Sequence, residues 1–131
     1  MLFARPLLGV ALLMLALGLA PARAAGAQSR EHDLRVEQVE ALLEEARFRE
    51  AAEQAATLRR AVLAMEPSSA SRRLLVRTEL AAGTAALALG QDNAARICFL
   101  RALQLEPTLV LGAAAPPKVR SVVDSLREVR E

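Results

Sequence analysis

Between Gly90 and Pro107 the chain reads GQDNAARICFLRALQLEP, and its order of small and large residues leaves few folds open. Glycine accepts the left-handed backbone that closes a helix, so one helix is expected to end at Gly90 and another to start at Asp92, whose side chain can cap free amides. Ala95, Phe99, Ala102 and Leu103 follow at spacings of four, three and one, which sets them on one helical face. Pro107 limits any continuation. With the preceding stretch from Thr78 to Gly90, this predicts two antiparallel helices.

The remainder points to the same class. The chain has 131 residues, enough for one domain and not for a second core. Ala, Leu, Arg and Glu dominate, and neither Trp nor Tyr occurs, so an all-α fold is expected. The aromatic platforms on which single-stranded nucleic acid stacks are missing.

Residues 1–24 carry the marks of an export signal. Arg5 gives a positive start, Leu7 to Ala20 is an uncharged apolar run, and Ala22-Arg23-Ala24 places small residues where a signal peptidase reads. Only 17 uncharged residues separate Arg5 from Arg23, whereas a membrane span needs about 20. No cysteine follows the run to take a lipid, so membrane association is expected only through this segment before cleavage. Cleavage after Ala24 removes Arg5 and Arg23, lowering Lys+Arg from 17 to 15 against 15 Asp+Glu. A neutral mature chain has no general attraction for polyanions, and no nucleic-acid partner is expected. The expected location is periplasmic or secreted.

Residues 25–33, AGAQSREHD, are polar and aperiodic, so a flexible leader is predicted there, with His32 solvated. The helical domain is expected over 34–131. Val36, Val39, Leu42, Leu43 and Ala46 mark a buried stripe on a first helix from Leu34 to Ala46. Ala51, Ala55, Leu58, Val62 and Met65 do the same from about Arg49 to Met65. After the break at Pro67-Ser68-Ser69-Ala70-Ser71, a third helix should run from near Ser71 to Leu89, burying Leu74, Leu75, Ala82, Ala85, Ala86 and Leu89, with Gly83 permitting close approach. The connector from Thr108 to Pro117 holds Leu109, Val110 and Leu111 and should lie against the hairpins. A last helix from Lys118 to about Arg130 shows Val119, Val122, Val123, Leu126 and Val129 on one face, and reads as a C-terminal cap.

Reactive chemistry is sparse. A lone His is not a metal site, since zinc needs three or four ligands held together. Cys98 cannot form an internal disulfide and is expected to be buried beside Phe99. Asp124 and Glu128 read as a solvated face, and Gly112-Ala113-Ala114-Ala115 lacks the glycines of a phosphate loop. No catalytic residue, cofactor or metal is expected, and the chain is not read as an enzyme.

The pattern Ala82-Gly83, Ala95, Phe99, Ala102 and Pro107 resembles the tetratricopeptide repeat (TPR), which has a small residue and Gly in its first helix, then Ala, Phe, Ala and Pro in and after its second. Glu79, Ala86 and Asp92 stand where that family commonly has large aromatics. Phe48 and Ala51 take the places of the family's Tyr and Ala in an earlier hairpin, whose closing Pro67 falls about one turn late. The resemblance implies TPR-like antiparallel hairpins of α-solenoid type, two in number, completed by the capping helix. It also implies an adaptor that binds another protein or peptide in a groove lined by the first helix of each hairpin. On the third helix Arg73, Arg77, Leu80, Thr84 and Leu87 share a face, and are the candidate groove residues, with the arginines suited to an acidic ligand. The alternative reading is a structural or self-assembling helical subunit of a cell-envelope complex, a homo-oligomer. A carrier of a small apolar ligand is a third, and depends on a cavity.

Overall fold

The structure, a computed structural model, describes residues 26–130. The expected signal segment lies outside them. The chain divides into two units, 1–31 and 32–131, and the helices pack on one another within the second.

Among the described residues the fold is all-α, with no strand. Helix α1 covers residues 26–44, α2 Phe48–Leu63, α3 Ser69–Ala88, α4 Asp92–Leu105 and α5 Pro117–Arg130. Residues 26–33 are thus helical, not the flexible leader that polarity alone predicts. His32 is only 7% exposed, not solvated. Its place explains this, since it precedes Val36 by one helical turn on the buried stripe of α1.

Two turns, 44 residues apart, close α1 onto α2 and α3 onto α4 in the same way. At the first, Ala46 donates its amide to the Leu43 carbonyl and Arg47 to that of Leu42; at the second, Gly90 donates to Leu87 and Gln91 to Ala86. The left-handed residue is Ala46 (φ 59°) in one and Gly90 (φ 77°) in the other. Ala46 therefore lies exposed in the turn beyond α1 and does not extend its buried stripe. Asp92 is the first residue of α4 and does not cap it; the cap position belongs to Gln91, which makes no side-chain cap hydrogen bond. α3 is capped by side chains. Ser68 Oγ accepts from the Ser71 amide at 3.0 Å, and Ser71 Oγ accepts from the Ser68 amide at 2.8 Å.

Helix α3 is the axis of the domain, packed on α2 along one side and on α4 along the other. Val76, Thr78, Glu79 and Ala81 are therefore buried in addition to the expected Leu74, Ala82, Ala85 and Ala86, whereas Leu89 is exposed. A helix rich in alanine all round can be enclosed from several directions, which a single-stripe reading does not anticipate.

Three apolar clusters hold these helices. Val36, Leu58, Val62 and Leu74 join α1, α2 and α3. Val39, Leu42, Ala51, Ala55, Ala82, Ala85 and Cys98 carry that contact on to α4. Phe99, the largest fully buried side chain, sits in the third cluster with Leu103, Leu109, Val119, Val123 and Leu126. A methyl group on Gly83 would lie 2.6 Å from Phe99 Cε1, so α3 and α4 touch at a spacing that only glycine permits.

The connector lies against this core through Leu109, which is buried, and Leu111, which is partly buried, while Val110 faces outward. α5 pins it. Arg127 donates to the Leu109 carbonyl and Arg120 to that of Gly112. Val119, Val123 and Leu126 of α5 cover the apolar side of α4, but Val129 is 82% exposed and lies outside the cap.

Candidate binding groove

An open cleft of about 460 Å³ runs between the two hairpins and the connector. Leu80 and Ala81 of α3, Leu43 of α1 and Phe48 at the start of α2 form its apolar floor with Leu111, Pro116 and Val119. Glu40 and Glu44 of α1 and Arg77 and Thr84 of α3 are its polar members. Thr84 Oγ1 is already used, donating to the Leu80 carbonyl at 2.7 Å. Arg77 is used as well, since it donates to Glu40 across the cleft.

Of the five residues that periodicity selects on α3, Arg77, Leu80 and Thr84 line this cleft. Arg73 is exposed but lies outside its lining, and Leu87 is 6% exposed within the Phe99 cluster. Leu87 is therefore a core residue and not a groove residue. The reason is α5, which brings Val119, Val123 and Leu126 into the cluster that holds Leu87, so the groove face of α3 is covered toward its C-terminal end. Sequence reasoning also passes over Glu40, Glu44 and Phe48. The apolar run at 109–111 was the available signal for the connector wall, whereas nothing local marks which α1 carboxylates reach the cleft.

A second polar assembly lies where α2, α3 and α4 meet. Glu79 is 2% exposed and takes a forked pair of bonds from Arg59, at Oε1 from Nε and at Oε2 from Nη2 at 3.0 Å. The same Nη2 lies 3.5 Å from Cys98 Sγ. Burial opposes the Arg59 charge, and the hydrogen bond and charge of Glu79 outweigh it, so the guanidinium sits above its ordinary value. Burial first, and then the Glu79 carboxylate, push the Cys98 thiol up against the pull of Arg59. A thiol so placed is a poor nucleophile at neutral pH. Bidentate pairing is the geometry in which arginine holds a carboxylate best, and here it fixes one hairpin against the other.

Among the described residues, no group of three or more His, Cys, Asp and Glu side chains is gathered as metal ligands would be. No helix among them is long and apolar enough to cross a membrane. No family model matches the chain, and searches of curated proteins and of solved structures find no match.

Proposed function

We propose that this chain is an exported, non-enzymatic adaptor of TPR-like build that holds a segment of another protein in the cleft between its hairpins. The observation that carries the reading is the cleft itself, an apolar floor with a charged rim contributed by α1, α2, α3, the connector and α5. Recognition surfaces commonly combine an apolar centre with a polar rim, and a cleft of this size falls in the range of about 300–1,000 Å³ in which ligands are buried. The repeat reading is supported by the two turns, whose hydrogen bonds correspond one for one at a constant offset. Export is supported by the charge and hydropathy pattern of residues 1–24. Mass spectrometry of the protein from the producing cell should find an N-terminus near Ala25; a persistent full-length chain would retire the export proposal.

A photo-crosslinking residue introduced at Ala114, an exposed residue of the cleft, should trap a discrete partner in the producing cell. The same residue at Thr57, exposed on α2 and outside the cleft, should not. The captured protein must then bind the purified full chain and lose that binding to Ala114→Trp, which adds an indole to the cleft lining. Equal trapping at both positions would count against the groove.

One observation favours the alternative of self-assembly. Leu63 is 63% exposed and lies in a surface depression with Met65, Leu75 and Leu105, bordered by Ser68, Ser69 and Arg72 and sharing no residue with the cleft lining. Light scattering across a dilution series decides it, since a self-assembling subunit changes mass with concentration and Leu63→Lys should abolish the change.

A further inference from the structure

We infer that the cleft takes a peptide segment of another protein in which an aliphatic side chain stands beside a lysine or arginine. Given the cleft as the binding face, on which this assignment rests, its rim decides the sign of the partner. Two arginines suggest an acidic ligand when the sequence is read alone. In the fold, Arg73 is outside the lining, and Arg77 is committed to Glu40. Glu44, one turn after Glu40 on the same face of α1, is exposed and has no ion-pair partner among the described residues. The charged side chains of the lining, Glu40, Glu44 and Arg77, therefore sum to one negative charge, on the α1 side of the cleft and away from Arg120, which is held on the Gly112 carbonyl of the connector. Phe48, the first residue of α2 beyond the turn at Ala46, is half-buried in the same lining, and an aromatic ring in a lining that also holds carboxylates is a second attraction for a cation. The floor of Leu43, Leu80, Leu111 and Val119 suits an aliphatic side chain entering between them. Because the cleft is open and not enclosed, a chain can lie along it while one side chain enters.

The test uses the full chain and three short fluorescein-labelled peptides of equal leucine and alanine content, carrying lysine, glutamine or glutamate at the same positions. Fluorescence anisotropy should show the lysine peptide binding on the order of tenfold more tightly than the glutamate peptide at low salt, with the difference shrinking as salt rises. Glu40→Gln with Glu44→Gln removes both carboxylates and frees Arg77, so the preference should reverse toward the glutamate peptide. Both positions are at least partly exposed, and circular dichroism checks that the variant folds; if it does not, Glu44→Gln alone should lower the lysine preference by roughly two- to fivefold. Equal binding of all three peptides, lost in Ala114→Trp, would leave the groove standing and overturn the charge assignment. Tighter binding of the glutamate peptide would overturn it in favour of an acidic partner. Binding that ignores Ala114→Trp, or no peptide binding at all, would bring down the groove and this inference together. Uptake of an apolar dye that none of the peptides displaces would assign the cleft to a small apolar ligand.

Discussion

The hairpins α1–α2 and α3–α4 share one turn geometry but solve the same packing problem with opposite allocations of size. At corresponding positions the second hairpin has Gly83 facing Phe99, and the first has Val39 and Ala55, both buried in one cluster. One puts the bulk on its second helix and the other on its first. The turns differ similarly. Gly90 adopts left-handed backbone without steric cost, whereas Ala46 does so against the clash of its own Cβ. Helical hairpins of one shape thus tolerate exchange of large and small residues across the contact, provided that the pair remains complementary.

The largest expected effect tests that complementarity where the large member is. Phe99→Ala removes the ring that fills the space over Gly83, and truncating a fully buried Phe costs about 3–5 kcal/mol. Small domains hold only about 5–15 kcal/mol in all. Thermal melting should show little folded protein. A midpoint within a few degrees of the parent would mean that the second hairpin does not depend on the ring.

Nearly as large is the effect expected at the seam between the hairpins. Glu79→Ala leaves the Arg59 guanidinium without its carboxylate in a site where the arginine side chain is only 22% exposed. Removing one partner of a buried pair costs about 3–5 kcal/mol, and the residual exposure of Arg59 sets the expectation at the lower end. Replacing both, Arg59→Met with Glu79→Leu, should recover most of the loss, because the desolvation that the pair must overcome disappears with it. If denaturant melts of the two variants coincide, the pair does not set how the hairpins meet.

The Gly83–Phe99 contact is expected to be felt at intermediate size. Alanine is the better helix former, so Gly83→Ala would stabilise an isolated helix by about 1 kcal/mol. In place, its methyl group meets the Phe99 ring, and overpacking of this kind costs about 1–3 kcal/mol. The melting temperature should fall, and Gly83→Ala with Phe99→Leu should fall less than the two single effects together predict. A rise in stability from Gly83→Ala alone would show that α3 and α4 can separate freely, and that the glycine has no packing role.

The second hairpin was the more legible in sequence because its devices are local. Gly90 and Pro107 each act on the chain within a turn or two, and Gly83 announces a close approach by its lack of a side chain. The first hairpin closes on an alanine, which carries no such signal, so the periodicity places the end of α1 two residues too late, at Ala46 where the helix stops at residue 44. The burial of Leu87 and Val76 depends on helices that arrive from elsewhere in the chain. The cleft was legible only in part for the same reason. Periodicity selected Arg77, Leu80 and Thr84 as neighbours on one face of α3, but could not show that Glu40 crosses from α1 to occupy Arg77, nor that α5 brings Leu87 into the core. A partner's sign is set by which charges remain unpaired, and pairing between helices 37 positions apart leaves no local trace.

The smallest expected effect compares the turns directly. Ala46 and Gly90 hold the same left-handed backbone and make the same two amide bonds back into the preceding helix, so they differ by one methyl group. A left-handed L-residue costs roughly 1–2 kcal/mol relative to its right-handed form, and glycine in the unfolded chain gives back part of that through its greater freedom. Ala46→Gly should therefore stabilise the domain by about 1 kcal/mol, and Gly90→Ala should destabilise it by about as much. In a domain of this size that is a melting shift on the order of 4 °C upward and downward respectively. Around Ala46 the Arg47 guanidinium also reaches Glu50 at 2.6 Å and Glu45 at 3.3 Å, and no corresponding pair is seen at the second turn among the described residues. Those pairs are exposed and contribute little each, and salt should weaken them without touching the backbone term. Measuring both substitutions at low and high salt separates the two. If Ala46→Gly is neutral at both, the alanine pays no steric penalty and the turns are not energetically alike; if its gain appears only at high salt, the surface pairs around Arg47, and not the methyl group, decide how the first hairpin closes.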